Sequence, residues 1–140
     1  MGSSLLTKLS GKCLCGNITY NADTCIKMIA NCHCSDCRAA TGAAYGTLLF
    51  VDEDSLEMQG TPKVFHHVAD SGAKMEKHFC SDCGSQLFGK NSGRAGVVSI
   101  RAGGLDETNF VKPGVNVYLS SKIDSTPIDP DLKGFDKMPG

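Results

Sequence analysis

The sequence contains no tryptophan, and aromatic residues make up only 6% of its 140 residues. It also has no apolar run of about 18 residues, the length that indicates a transmembrane helix. The formal charge of −1 and the pI near 6.4 provide no basic surface for nucleic acid or for an anionic membrane. We therefore expect one small domain with a modest core, and neither a nucleic-acid partner nor a membrane partner.

The N-terminal residues also lack the basic region and apolar stretch of a secretory signal. The sequence nevertheless contains eight cysteines. A chain without an export signal is expected to stay in a reducing compartment, where thiols bind metal or perform chemistry. We therefore expect a cytoplasmic protein whose cysteines bind metal. The alternative is the disulfide framework of a secreted domain.

Short runs with strand-like alternation recur along the chain, and no segment has the apolar spacing of a helix over three turns. One helical turn fits residues 35–41. Apolar or alternating runs between Gly, Pro, Asp and Ser predict strands at 17–21, 45–51, 63–68, 96–100 and 116–119. The predicted fold class is all-β, built from short strands.

Two regions at the ends have the weakest structural signals. We predict a flexible N-terminal segment over residues 1–8 and a loose tail from Ser125, which contains three prolines. A single domain is predicted for residues 9–140, because no linker divides them.

The strongest motif is a pair of short cysteine clusters, each closed by glycine. Cys13 and Cys15 precede Gly16, and Cys80 and Cys83 precede Gly84. Glycine permits the sharp turn of a zinc knuckle, in which backbone N–H groups point at thiolate sulfurs. The four cysteines therefore predict a closed, structural zinc site.

A second cluster has the spacing C-x-C-x-x-C, formed by Cys32, Cys34 and Cys37. Three cysteines bind one zinc ion and leave its fourth position vacant, which is typical of a catalytic or ligand-binding site. Three thiolates leave the ion with a net negative charge, so it acidifies water poorly but suits an additional thiolate from a small molecule. Arg38 is the candidate to offset this charge or to bind a substrate carboxylate.

The role of the neighbouring histidine stays open. His33 is a candidate proton shuttle, or else a surface residue whose side chain points away from the metal. Alternatively, His33, His78 or Cys25 fills the fourth position, and the second site is then purely structural.

Four motifs together resemble the glutathione-dependent formaldehyde-activating enzyme family, which includes centromere protein V-like domains. They are Gly11-Lys12-Cys13-Leu14-Cys15-Gly16-Asn17-Ile18-Thr19-Tyr20, Cys32-His33-Cys34-Ser35-Asp36-Cys37-Arg38 followed by Thr41-Gly42, His78-Phe79-Cys80-Ser81-Asp82-Cys83-Gly84-Ser85, and Gly103-Gly104-Leu105-Asp106. The resemblance runs from about Gly11 to the C-terminus.

This resemblance implies a zinc-stabilised β-tent of short antiparallel strands, as in methionine sulfoxide reductase B. It implies two zinc ions per chain, a structural one on Cys13, Cys15, Cys80 and Cys83 and an active one on the second cluster. It also implies a carbon–sulfur lyase or synthase that joins glutathione to formaldehyde or a related electrophile and gives S-hydroxymethylglutathione-type products.

Three other functions are alternatives to this one. The domain is alternatively a non-catalytic zinc module that carries glutathione adducts or binds a protein partner, or a related enzyme that acts on a secondary metabolite. Methionine sulfoxide reductase activity is disfavoured, because no cysteine follows Cys83 to act as a late catalytic thiol. The sequence does not fix the oligomeric state.

Overall fold

A computed structural model describes residues 6–139 of the chain. It contains eleven strands and one α-helix, α1, at Ser35–Thr41. The strands are β1 Leu6–Lys12, β2 Thr19–Cys25, β3 Met28–Cys32, β4 Gly46–Asp52, β5 Leu56–Gln59, β6 Lys63–Val68, β7 Lys74–Phe79, β8 Gln86–Asn91, β9 Val97–Arg101, β10 Val115–Val117 and β11 Lys133–Gly134. Short 3-10 turns follow β4, β9 and β10.

The strands form two sheets. The smaller sheet has the order β1-β2-β5, and the larger has the order β11-β10-β3-β4-β9-β8-β7-β6. All pairings are antiparallel except those of β10, which runs parallel to both β3 and β11. The all-β prediction is confirmed, and the parallel pairs at one edge are a departure from a purely antiparallel arrangement.

The main core lies between the two sheets. Leu9 and Tyr20 from the small sheet belong to the same buried cluster as Leu49, Leu87 and Ile100 from the large sheet. Strand β4 is buried on both faces, because Leu48 and Phe50 belong to a second cluster that also contains Cys32 and Cys37. A strand covered on both faces reads as a continuous apolar run, which is the pattern of residues 48–51.

Most of the predicted elements coincide with observed ones. The helix at 35–41 and the strands at 45–51, 63–68 and 96–100 are confirmed within a residue or two. The strand predicted at 17–21 begins at Thr19, and that predicted at 116–119 is replaced by a 3-10 turn after Val117. The strand expected to follow the second cysteine pair is β8, whereas β1, β3, β5, β7 and β11 were not predicted.

Parts of the two segments with the weakest signals form strands in this structure. Residues 6–8 of the segment predicted to be flexible pair with β2, while residues 1–5 of it lie outside the described residues. The predicted loose tail contains β11, which pairs with β10. Nowhere in residues 6–139 is there a helix with the length and hydropathy needed to cross a bilayer.

Candidate metal centres

The four-cysteine site joins the two sheets. Cys13 and Cys15 lie in the connection between β1 and β2, and Cys80 and Cys83 lie in the connection between β7 and β8. Both connections turn at a glycine with positive φ, 81° at Gly16 and 78° at Gly84, where a side chain would be strained.

Hydrogen bonds connect the two turns to each other and to the sulfurs. The Asn17 amide donates to Asp82 Oδ2 at 2.8 Å, and the backbone N–H of Leu14 donates to Ser85 Oγ at 2.9 Å. The N–H of Ile18 donates to Cys13 Sγ at 3.3 Å. These contacts have the form expected of two zinc knuckles that face each other.

The sulfur positions fit a tetrahedral ion. The distance from Cys15 Sγ is 3.6 Å to Cys13 Sγ and 3.7 Å to Cys80 Sγ, and all four sulfurs lie within 4.8 Å of one another. A Zn–S bond of about 2.3 Å gives a tetrahedron edge of about 3.8 Å, whereas a disulfide needs about 2.05 Å. All eight cysteines are free, so the alternative of a disulfide framework is wrong for this structure.

The three-cysteine site is built at the junction of β3 and α1. Cys32 is the last residue of β3, Cys34 is the N-cap of α1 and Cys37 lies in the first turn of the helix. The Cys34 sulfur accepts a hydrogen bond of 3.2 Å from the Cys37 N–H, which sets the angle between strand and helix. The junction of strand and helix therefore brings three sulfurs of a six-residue stretch close together.

The fourth position of this site has no ligand from the described residues. The three sulfurs lie within 4.8 Å of one another, and no fourth His, Cys, Asp or Glu in residues 6–139 joins them. His33, His78 and Cys25, the alternatives for the fourth ligand, are not in the group. A soft donor set of three thiolates suits zinc, and this set leaves one coordination position for a ligand from outside.

A cavity of about 480 Å³ opens beside the three cysteines. Its wall includes the β6–β7 turn and residues of the C-terminal tail. Five cations and three carboxylates line it: Lys77, Lys90, Arg94, Arg101, Lys137, Asp36, Asp70 and Glu76. A larger groove of about 1010 Å³ borders Cys13 of the closed site instead, and it does not include the three-cysteine cluster among its lining residues.

Two of the cavity's cations are buried next to the sulfurs. Lys77 and Arg101 are each 7% exposed, and Arg101 Nη1 lies 4.0 Å from Cys37 Sγ. Hydrogen bonds from the thiols of Cys32 and Cys34, and then the charges of Arg101 and Lys77, lower the pKa of the Cys37 thiol to about 2. Burial, followed by the charge of Arg101, lowers the pKa of Lys77. Hydrogen bonding with Cys34 and Cys37, and then burial, raise the pKa of the Cys32 thiol, so without a metal the cluster favours a thiolate at Cys37 in particular.

Arg38 does not share this position. Its side chain is half-buried, its Nε has no hydrogen-bond partner among the described residues, and it is not among the residues that line the cavity. The cations that line the cavity beside the sulfurs are Arg101 and Lys77. A role for Arg38 toward substrate stays a prediction.

His33 is a buried residue that connects β3 to β10. It is 1% exposed, so the alternative that it is a surface residue is wrong. Its Nε2 lies 3.0 Å from Asn116 Oδ1, and its ring lies against Tyr45, with centroids 4.8 Å apart. The ring is not among the cavity-lining groups, and its function as a proton shuttle stays a prediction.

Sequence reasoning missed Lys77 and Arg101, although each carries a weak signal. Lys77 alternates with Met75 and Phe79, so it occupies an apolar position of a strand pattern. Arg101 directly follows the apolar run 97–100. A charged residue in line with buried positions indicates a buried charge, which needs a partner.

The fold and the two cysteine sites define a class of small all-β proteins with one four-cysteine and one three-cysteine cluster that could hold metal ions. The chain belongs to the glutathione-dependent formaldehyde-activating enzyme family, whose model matches residues 8–121. This confirms the family resemblance derived from the cysteine motifs.

Two relatives are similar to this chain. A protein of Phaeosphaeria nodorum described as a "Putative glutathione-dependent formaldehyde-activating enzyme" is 36% identical over 59 residues, which are 42% of this chain and 30% of that protein. A crystal structure of a Rhodobacter sphaeroides protein superposes with a TM-score of 0.56 at 18% identity and covers 72% of this chain and 91% of that one. The second likeness shows the fold alone.

Proposed function

We propose that the protein is a zinc-dependent carbon–sulfur lyase or synthase that acts on glutathione adducts. In the synthetic direction, the glutathione sulfur bonds to the carbon of formaldehyde or a related electrophile, and the product is of the S-hydroxymethylglutathione type. The observation that carries this proposal is the three-sulfur cluster, which has no fourth ligand among the described residues and opens onto a cavity.

Cys32, Cys34 and Cys37 would hold a zinc ion, which supplies positive charge that keeps an incoming thiol in its thiolate form. Lys77 and Arg101 offset the negative charge of the cluster from the side. The closed site, with its four cysteines, would hold the structural zinc. Eight free thiols are stable in a reducing cytoplasm, which is the location we propose.

The outer cations suit the carboxylates of glutathione. Lys90 and Lys137 are paired with Glu53 and Asp70, at 2.5 and 3.3 Å. Arg94 forms no ion pair with any described residue, and its guanidinium carbon lies 5.4 Å from the centroid of the Phe50 ring. A guanidinium held over an aromatic ring at the edge of a cavity is well placed to bind a carboxylate bidentately.

Calorimetric titration of the two-zinc protein with glutathione tests the proposal. We expect binding at one site per chain and a change in the thiolate-to-metal absorption bands after Co²⁺ substitution. S-methylglutathione is the matched control ligand, because its sulfur cannot become a thiolate, and we expect it not to change the spectrum. Absence of both heat and spectral change with glutathione would refute the proposal.

Catalysis is separated from adduct carriage by a rate measurement. We expect the protein to accelerate formation of the adduct from glutathione and formaldehyde above the rate without protein, and the Cys34→Ser variant not to do so. If glutathione binds and the rate stays at the uncatalysed value, the protein is a carrier of adducts.

A further inference from the structure

Arg101 is a buried cation with more donors than partners. It is 7% exposed, and its guanidinium has one sulfur partner, Cys37 Sγ, at 4.0 Å from Nη1. Its Nε is buried with no partner, and it forms no ion pair with a carboxylate of residues 6–139. Burial of a charge costs several kcal/mol unless hydrogen bonds compensate it. The unused donors therefore indicate an acceptor that the protein chain does not supply.

Two glycines make room for this guanidinium on the sheet. A Cβ on Gly46 of β4 would lie 3.6 Å from Arg101 Nη1, and a Cβ on Gly89 of β8 would lie 3.9 Å from Nη2. Both strands neighbour β9, so the arginine lies between two positions without side chains. Glycine inside a strand weakens it, and it is often found where a group approaches the backbone closely. The surroundings are therefore shaped for a flat guanidinium beside the cysteine cluster.

Charge balance indicates what a cation at this site would have to do. Lys77 lies directly opposite Gly89 across the β7–β8 pair, close enough for the charge of Arg101 to lower its pKa. Three thiolates would leave a divalent ion with one net negative charge, and a substrate thiolate in the cavity would add a second. When that sulfur attacks a carbonyl carbon, the negative charge moves from sulfur to oxygen. A cation that serves the reaction must therefore reach both atoms.

We propose that Arg101 is a catalytic residue that donates hydrogen bonds to the carbonyl oxygen of the electrophile in the three-cysteine cavity. The sulfur lone pair forms the carbon–sulfur bond, the π pair of the carbonyl moves to oxygen, and that oxygen then takes a proton from solvent. A guanidinium that has one nitrogen near Cys37 Sγ and no other hydrogen-bond partner among residues 6–139 reaches both the cluster sulfurs and the oxygen. This inference rests on the proposed function, because it requires a carbonyl substrate.

The first test uses turnover by the two-zinc protein. We expect Arg101→Met to lower kcat by about 10²–10³-fold, as for loss of an oxyanion donor, with little change in KM for glutathione. Arg94→Ala is the matched arginine comparison, and we expect it to raise this KM with little change in kcat. An Arg101→Met enzyme with unchanged kcat would overturn the inference and leave the proposed function standing.

The second test is chemical rescue. Arg101→Ala leaves a space between Gly46 and Gly89, so we expect millimolar methylguanidinium to restore part of the kcat that this variant has lost and to leave the kcat of wild type unchanged. No restoration, in a variant that retains two zinc ions and the wild-type circular dichroism spectrum, counts against a direct role. If Arg101→Ala does not fold, Arg101→Lys replaces it, and a kcat equal to that of wild type would overturn the inference.

A third readout is independent of activity and uses formate, a one-carbon oxyanion. We expect formate to bind the two-zinc protein and Arg101→Met to weaken that binding at least tenfold, measured by calorimetry. Equal affinity in both proteins would overturn the inference. Failure of wild type to bind glutathione would instead refute the proposed function, and the formate result identifies which of the two has failed.

Discussion

At the scale of single residues, the three-cysteine site is surrounded by buried, positively charged side chains. Arg101 and Lys77 approach the sulfurs from β9 and β7. Gly46 and Gly89 border Arg101, and a Cβ at these positions would contact its guanidinium at 3.6 and 3.9 Å. A glycine at such a position is thus part of the geometry of the site, although it carries no chemistry.

Gly89→Ala tests how closely the neighbouring strands pack beside Arg101. Its Cβ would lie 3.2 Å from the Glu76 carbonyl oxygen and 3.2 Å from Ser99 Oγ, so these two groups must give way slightly to accept it. We expect a loss of about 1–3 kcal/mol in the free energy of unfolding, as for overpacking of a buried position. Urea denaturation of the zinc-loaded protein measures it.

Gly103→Ala is the matched control for this substitution. A Cβ at Gly103 meets no atom within 4 Å, and its φ is not in the left-handed region. We expect a change within about 0.5 kcal/mol, as for ordinary surface substitutions. A Gly89→Ala protein as stable as this control would show that the Glu76 carbonyl and the Ser99 hydroxyl can accept a methyl group at this position.

At the scale of elements, the edge of the large sheet closes one side of the cavity. After the 3-10 turn that follows β10, the chain returns, and the Phe135 N–H donates to Asn116 O at 2.9 Å. Phe135 and Met138 pack against the cluster that contains Cys32 and Cys37. The family model ends at residue 121, so this wall is formed by residues beyond the matched region.

Packing of Phe135, more than its neighbouring ion pair, is expected to hold the tail in place. We expect Phe135→Ala to cost about 1–3 kcal/mol of unfolding free energy, because it removes apolar contact area from a half-buried ring. Lys137→Met breaks an ion pair whose side chains are 67% and 81% exposed, and such a pair contributes about 0–1 kcal/mol.

Urea unfolding and limited proteolysis together compare the stability of the tail in the two variants. Cleavage after residue 121 is expected to be faster in Phe135→Ala than in Lys137→Met or in wild type. If Lys137→Met releases the tail as readily as Phe135→Ala, the ion pair and not the aromatic ring is what fixes this wall.

At the scale of the whole molecule, the four-cysteine site brings together one connection from each of the two sheets. It joins the β1–β2 connection to the β7–β8 connection, and the core between the sheets contains few aromatic residues. A structural zinc contributes about 10–16 kcal/mol in zinc-finger peptides, which matches or exceeds the net stability of about 5–15 kcal/mol of a typical domain. Folding of this protein is therefore expected to depend on that ion.

The two sites should respond differently to loss of one cysteine. We expect Cys83→Ser to abolish cooperative thermal unfolding, because it opens the site that joins the sheets. Cys34→Ser should retain the fold and one zinc ion per chain, since β3 and α1 are also held by packing around Leu48 and Phe50.

Zinc counting by elemental analysis and circular dichroism melting measure this difference. The assignment of structural and open sites would be reversed if Cys34→Ser were the variant that unfolds. A wild-type protein that binds one zinc ion per chain would contradict the presence of two metal centres.

The sequence by itself determined the features that depend on spacing within a short stretch. Two knuckles closed by Gly16 and Gly84, the cluster from Cys32 to Cys37, the helix at 35–41 and the all-β class all follow from local residue patterns. Such features are readable because turn chemistry and side-chain periodicity act over a few residues.

Tertiary structure alone decided which charges face the open site. Arg38 is adjacent to the cluster in sequence and does not line the cavity, while Arg101 and Lys77 are brought there from strands β9 and β7. The parallel pairing of β10 with β3, which buries His33 against Asn116, was likewise invisible in the sequence. Strand order and register are set by contacts between distant segments, and no local pattern encodes them.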